Sequence, residues 1–305
     1  MNLAMKLSSD KMFLKRSRIA LAQCSAILGD VEKNAKHHLD LCQKAKLQGA
    51  DAIVFPELSL TGYTLRDLNN EVALDPSTSP LLKDLRTLSN DITIICGGVE
   101  RSKTGGVHNA AFVFEGGECR HIHHKIYPPT YGIFEEERYF LAGNTVHTFE
   151  SGKLGRIGVL VCEDLWHPAL PYMLAYQGAQ LIITIASSPT KLESGERAST
   201  EIPLNYSVNS NHHEAYARLF SVYMVFVNRI GVEEGVNFWG GSQIVAPSGE
   251  IIGTASFFDE DLLLIGIDPN AVLHAREYSR HMLDENLLLT QQLLSETITL
   301  SREGR

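Results

Sequence analysis

The feature that most restricts the fold of this chain is a series of short, almost wholly apolar runs, such as GVLV at 158–161 and LIITIA at 181–186. A strand with one solvated face alternates apolar and polar residues. A strand apolar at almost every position is usually covered on at least one face by helices. Runs of this type at 18–25, 52–55, 92–99, 110–114, 157–161, 181–186, 224–228, 242–246 and 262–267 read as strands. Helical patterns fall between them. Residues 30–48 place Val31, Ala35, Leu39, Cys42 and Ala45 near a 3.6-residue period, and Gly49 follows as a stop. Segments 79–89, 168–177, 211–221 and 282–298 read as further helices. Glycine pairs at 105–106 and 116–117, SGK at 151–153 and PSGE at 247–250 supply the turns. The alternation predicts an α/β class with helices packed outside β layers.

At 305 residues, with 44% hydrophobic and 21% charged residues, the chain can bury a large core. It contains no internal repeat and no low-complexity tract. Residues 1–17 are basic and read as a flexible leader, 18–270 as one domain and 271–305 as a C-terminal helical extension. The leader lacks an apolar stretch followed by a small-residue cleavage site, so a cytoplasmic protein is expected. No run approaches the roughly 18 apolar residues of a membrane helix. The formal charge of −9 argues against a general nucleic-acid binder, which needs a basic field for phosphates. The five cysteines, Cys24, Cys42, Cys96, Cys119 and Cys162, are odd in number, widely spaced and free of any CxxC pair. That argues against a disulfide framework and a structural zinc site.

Three segments carry chemistry. In GVLVCEDLWHP, Cys162 stands at the tip of an apolar strand, where the backbone is held rigidly beside a crevice. Taken alone, an inert buried thiol fits as well. In AIVFPELSLTGY, Glu57 directly follows a buried run, a place where desolvation raises a carboxylate toward the useful range for a general base. A solvated loop glutamate is the plainer alternative. In HIHHKIYPPTYGIFEEERYF, Lys125 follows an alternating strand at 120–124, and an ammonium held beside carboxylates can donate to a developing oxyanion. His121, His123 and His124 have no partner carboxylates at ligand spacing, so they read as strand and loop residues rather than metal ligands.

Taken in order, FPE, the HHK…YGIFEEERYF block, GVLVCED, the NRxG at 228–231 and GGSQIVAPSGEII at 240–252 resemble the carbon–nitrogen hydrolase, or nitrilase, superfamily over residues 18–269. The resemblance implies a four-layer αββα sandwich and a homodimer or larger homo-oligomer. It implies Glu57, Lys125 and Cys162 as the catalytic group, with Glu136 as a second active-site glutamate flanked by Glu135 and Glu137. ELSLTGY and CEDLWHP look most like the glutamine-hydrolysing domain of glutamine-dependent NAD synthetases. The SGGxDS-type ATP-binding loop of the synthetase half does not occur in this chain. Glu163 directly after Cys162 favours an amidase over a nitrilase.

The expected reaction is hydrolysis of a small linear non-peptide amide through a thioester, with ammonia released and no metal or organic cofactor. An N-carbamoyl-amine hydrolase, a nitrilase, and an ammonia-donating subunit of a separate synthetase remain open. Tyr63, Tyr131 and Trp166 are candidate substrate contacts, as are the backbones of Ser187 and Ser188; the N–H of Glu163 is a candidate oxyanion donor. The polar segment 187–209 is read as a surface excursion or a cover over the site.

Overall fold

The computed structural model describes residues 14–190 and 204–303. In chain order the strands among them are β1 (Ser17–Gln23), β2 (Ala52–Val54), β3 (Thr93–Arg101), β4 (Val107–Glu115), β5 (Glu118–His124), β6 (Phe149–Ser151), β7 (Gly155–Val161), β8 (Leu181–Ala186), β9 (Pro189–Thr190), β10 (Tyr223–Asn228), β11 (Ile230–Glu233), β12 (Val236–Trp239), β13 (Gln243–Val245), β14 (Ile251–Thr254) and β15 (Asp261–Ile267). The α-helices are α1 (Val31–Leu47), α2 (Asn69–Val72), α3 (Lys83–Leu88), α4 (Ala169–Tyr176), α5 (Leu204–Phe220), α6 (Pro269–Tyr278), α7 (His281–Asp284) and α8 (Leu287–Glu303).

Two six-stranded sheets carry the fold, in the orders β15-β1-β2-β3-β4-β5 and β14-β13-β10-β8-β7-β6, and β11-β12-β9 form a small third sheet. Alternation of side chains explains the apolar runs. In β1, Ile19 and Leu21 enter the core between the sheets, while Ala20 and Ala22 turn to the outer helices. In β7 and β8, Ile157, Val159, Val161, Leu181, Ile183 and Ile185 face inward, and Leu160 and Ile182 face outward. The first sheet packs its outer face on α1 and α3, through Leu41, Cys42, Ala45 and Leu85. The second packs on α4 and α5, through Leu170, Leu174, Tyr216 and Phe220. Each fully buried Ile, Leu or Val contributes about 1.5–3 kcal/mol by leaving water. The result is a mixed α/β fold whose sheets are flanked by helices in αββα order, as the resemblance implied.

Helix α1 shows how local sequence sets an end. The Asp30 carboxylate accepts the Lys33 N–H at 3.1 Å, and Gly49 adopts φ +82°, which a side chain disfavours. The expected helix at 79–89 is a 3₁₀ turn (Pro80–Leu82) running into α3. The helix expected from 211 begins earlier, at Leu204. The single helix expected at 282–298 is broken into α7 and α8. Helix α6 begins the helical stretch expected from 271, two residues earlier, at Pro269, and it buries Val272 against the core between the sheets.

Of the expected leader, residues 1–13 lie outside the described residues. Leu14 is buried, its N–H donates to the Gln180 side-chain carbonyl, and Lys15 N–H donates to Leu154 O at 3.1 Å. Residues 14–17 are therefore part of the packed fold. Of the segment 187–209, residues 191–203 lie outside the described residues, and the rest belongs to β8's end, β9 and the start of α5. Leu287, Leu288, Leu293 and Leu294 on α8 are exposed. Among the described residues no helix is long and apolar enough to cross a membrane.

Candidate active site

Strands β1, β2 and β3 run parallel, and β4 and β5 each reverse, so β2 and β5 end on the same side of the first sheet. Glu57 follows β2 and Lys125 follows β5. In the second sheet β7, β8 and β10 are parallel, and Cys162, Ser187 and Arg229 follow their ends. The site therefore spans the two sheets at the ends of their parallel strands.

The Lys125 ammonium donates to Glu57 Oε1 at 2.8 Å and to Glu136 Oε1 at 2.7 Å. All three side chains are buried. Burial pushes the Lys125 pKa down, but Glu136 and Glu57 outweigh it and hold the group well above the ordinary lysine value. Burial likewise raises the Glu136 carboxyl; Lys125 pulls it down and Glu57 pushes it up, and the net direction is upward. Glu135 and Glu137 are exposed, so Glu136 is the member of its run that meets the lysine. Glu57 Oε1 also accepts from Asn109 Nδ2 at 2.7 Å, while Glu57 Oε2 is buried with no hydrogen-bond partner among the described residues.

Cys162 opens a 3₁₀ turn (Cys162–Trp166) and holds φ at +46°, a left-handed conformation that costs a non-glycine residue about 1–3 kcal/mol. Burial raises the pKa of all five thiols. What distinguishes Cys162 is its company. Burial and the Glu57 carboxylate push its thiol well up, Lys125 and a hydrogen bond from the Ser187 backbone pull it down, and Glu136 raises it further. The resting sulfur is thus a neutral thiol within the field of a carboxylate and an ammonium.

The turn after Glu57 is held from several sides. His38 on α1 donates through Nδ1 to Asn34 O and accepts through Nε2 from Ser59 Oγ at 2.9 Å. Burial drives its pKa down to about 3, which keeps it neutral. Asn34 Nδ2 donates to Leu60 O at 3.1 Å, and Ser187 Oγ donates to Glu57 O at 3.1 Å. Gly97 on β3 lies directly beneath: a Cβ there would stand 2.3 Å from Leu58 N and 2.8 Å from Glu57 Cα. Gly97→Ala is therefore expected to push the Glu57 turn outward. A displacement of this kind costs about 10²-fold in rate and overpacking costs about 1–3 kcal/mol. Turnover and melting temperature measured together check this; wild-type turnover would show that the turn yields without moving Glu57.

Asp164 ties the Lys125 and Cys162 segments together. Its Oδ1 accepts the N–H groups of Ile126 and Tyr127 at 2.9 and 3.0 Å, just after Lys125. Its Oδ2 accepts His123 Nε2 at 2.8 Å and Val161 N at 3.2 Å, just before Cys162. The three expected non-ligand histidines go separate ways. His121 stacks on Phe149, His123 binds Asp164, and His124 bonds Glu100 and stacks on His108 at 4.0 Å.

The candidate substrate contacts divide. Tyr63 is half-buried and donates its hydroxyl to Glu136 Oε1 at 2.6 Å, so it braces the glutamate. Tyr131 is exposed and donates to Glu163 Oε2 at 2.9 Å. Trp166 is exposed and meets the His212 ring edge-on at 4.5 Å. Ser187 contacts both Glu57 and Cys162. Ser188 N–H donates to Asn228 Oδ1 at 2.8 Å, and its Oγ accepts from Trp239 Nε1 at 3.1 Å. Cys162, Trp166 and Ser188 share one small cavity with residues of α5.

Sequence reasoning missed Asn109, Asp164, Gly97 and Glu233. Asn109 Nδ2 reaches both Glu57 and Glu136, and its carbonyl accepts the Lys125 N–H at 2.9 Å. Its signal was a polar residue inside an apolar strand, which demands a partner. Glu233, paired with buried Arg229 at 3.0 Å, accepts the N–H groups of Tyr63 and Thr64.

Comparison with known proteins agrees with this geometry. The sequence profile described as Carbon-nitrogen hydrolase matches residues 18–277. The glutamine-dependent NAD(+) synthetase of Thermotoga maritima is 30% identical over 259 residues, covering 84% of this chain and 42% of that protein. That of Synechocystis sp. is 32% identical over 272 residues, covering 82% and 46%. The chain thus spans under half the length of these relatives. Among solved structures, the glutamine-dependent NAD+ synthetase of Acinetobacter baumannii superposes with a TM-score of 0.72 at 28% identity, over 85% of this chain and 47% of that one. An amidase of Nesterenkonia AN1 from the nitrilase superfamily gives 0.73 at 24% identity over 92% and 99%, a likeness of fold. The match of profile, relatives and architecture makes this chain a member of the carbon-nitrogen hydrolase family.

Proposed function

We propose that the chain hydrolyses the carbon–nitrogen bond of a small linear non-peptide amide, with Cys162 as nucleophile, Glu57 as general base and acid, and Lys125 as oxyanion donor. The observation that carries this reading is the division of labour within Glu57. One carboxylate oxygen is fixed by Lys125 and Asn109, and the other is buried and unengaged among the described residues. A desolvated lone pair beside a neutral thiol is suited to take its proton as the sulfur attacks.

The thiol proton passes to Glu57 while the C–S bond forms. The oxyanion is met by the Lys125 ammonium and by the Glu163 N–H, which lies at the start of a helical turn where N–H groups have no intrahelical acceptor. Glu57 returns the proton to the leaving nitrogen, the C–N bond breaks, and ammonia departs. Water, deprotonated by Glu57, then cleaves the thioester to the carboxylic acid and restores the thiol. Glu136 positions the ammonium, with Tyr63 bracing it from behind.

A second reading is favoured by the relatives: the same hydrolysis, of a glutamine-like amide, donating ammonia to a separate ATP-using synthetase. Incubation with a panel of amides, carbamoyl amines and nitriles, read by ammonia release and by intact mass of the trapped protein, tests both. The expected result is a mass increase on Cys162 equal to the acyl group, with ammonia released from amides. Activity that appears only with a co-purifying synthetase supports the donor reading. Ammonia release without a Cys162 adduct from any substrate overturns the thioester route.

A further inference from the structure

Beside Cys162 lies a cavity of about 20 Å³ walled by Cys162, Trp166, Ser188, Asn209, His212, His213 and Phe226. That is room for one water-sized group. His213, on α5, is 1% exposed, and its ring packs at 4.7 Å from that of Phe226. Its Nδ1 is engaged by the Gln243 side-chain Nε2, whose partner oxygen accepts from Ser210 Oγ at 3.1 Å. An amide nitrogen only donates, so Nδ1 accepts and the ring proton sits on Nε2. Burial drives the His213 pKa down to about 3, so the ring is neutral. His213 Nε2 is itself buried and has no hydrogen-bond partner among the described residues. Ser188 adds a second donor: its Oγ already accepts from Trp239, leaving its own hydrogen to give. Among the described residues, no lysine or arginine lines the cavity.

We propose that this cavity is a recognition subsite for one uncharged hydrogen-bond-accepting oxygen, hydroxyl or carbonyl, carried on the α- or β-carbon of the acyl group, with His213 Nε2–H as its donor. This deepens the amidase reading and rests on it for the placement of the acyl carbon at Cys162. The reasons are size, polarity and position. A cavity that admits one heavy atom beside the reacting sulfur can only receive a substituent atom two or three bonds from the scissile carbonyl carbon. A buried donor without a partner among the described residues carries a penalty that an acceptor on the substrate removes and an alkyl group does not. A carboxylate would lose its hydration in this small cavity with no lysine or arginine among the described residues to pair it, at a high desolvation cost.

The test uses two isosteric pairs: glycolamide against propionamide, and 3-hydroxypropionamide against butyramide. Affinity is read by ligand-detected NMR on the Cys162→Ala protein, which has no nucleophile, so the subsite is tested whether or not the wild type turns these amides over. Ammonia release by wild type, measured separately, tests the amidase reading. The expected result is at least about a tenfold preference for the hydroxyl member in one pair, as a neutral buried hydrogen bond provides. That ratio is expected to fall to within about threefold when His213→Phe is added. His213→Gln, which keeps a donor, is expected to retain part of the ratio and serves if the phenylalanine variant does not fold. Equal affinities within both pairs overturn the proposal, as does a preference that His213→Phe or His213→Gln leaves undiminished together with a structure showing only a water in the cavity.

Discussion

Cys162→Ala is expected to abolish amide turnover, with no acyl adduct detectable by mass spectrometry, while the protein stays folded. The chemical step needs a polarisable sulfur placed where Glu57 can take its proton, and no other described thiol has that setting. Cys24, Cys42 and Cys96 are buried in the outer core, and Cys119 lies at the start of edge strand β5, at the end opposite Lys125. The fold does not depend on the sulfur. The turn at Cys162 is held by Asp164, whose carboxylate caps Val161 N–H and reaches across to the Lys125 segment. The strained φ of +46° persists in the alanine variant, so its melting temperature is expected to stay near that of wild type. Residual turnover within about tenfold of wild type would remove the covalent route.

Lys125→Met is expected to cost both activity and stability, with the stability loss growing as pH rises. The variant keeps the length of the side chain and deletes the ammonium between Glu57 and Glu136. Removing an oxyanion donor costs about 10²–10³-fold in kcat. Breaking a buried ion pair from one side costs about 3–5 kcal/mol, because the remaining charges are left without compensation. The pH direction follows from Glu136, whose folded carboxyl already lies above the ordinary value of 4.5. For such a group the folded state binds more protons than the unfolded one within the shifted window, so stability falls as pH rises through it. Loss of Lys125 removes the influence that lowers this carboxyl and widens the window upward. The difference in melting temperature between variant and wild type is therefore expected to increase between pH 5 and pH 8. A difference that stays constant or shrinks would show that the ammonium does not offset the carboxylates.

How much of this was legible beforehand follows from the kind of signal each residue sends. The strands announced themselves because burial on both faces forces unbroken apolar runs, as in β7 and β8. Glu57 and Cys162 stood out because each follows such a run, Lys125 because it follows a short alternating strand, and together they keep a family's order. Glu136 was placed by pattern, and burial separates it from its two neighbours. Asn109 escaped because the strand was expected to begin one residue after it. Asp164 escaped because, beside Cys162 and Glu163, its acidity read as part of the motif; its role depends on reaching His123 and Ile126, 41 and 38 residues away in sequence. Gly97 gives no signal by type, since only the approach of another segment makes its missing side chain matter. His213 belongs to a helix whose start was expected seven residues later, and its meaning lies in which neighbour claims Nδ1. Long-range pairing of this sort is set by topology, and local patterns do not encode it.

Cys162 follows a strand of one sheet and Glu57 and Lys125 follow strands of the other, so under the proposed mechanism competence belongs to the seam between the two β layers. Neither layer can acquire the proposed chemistry alone, however well it forms. Onset of turnover during refolding would thus clock the docking of one β layer upon the other. A substitution deep in that seam, far from any substrate, would detune the enzyme by sliding nucleophile past proton acceptor.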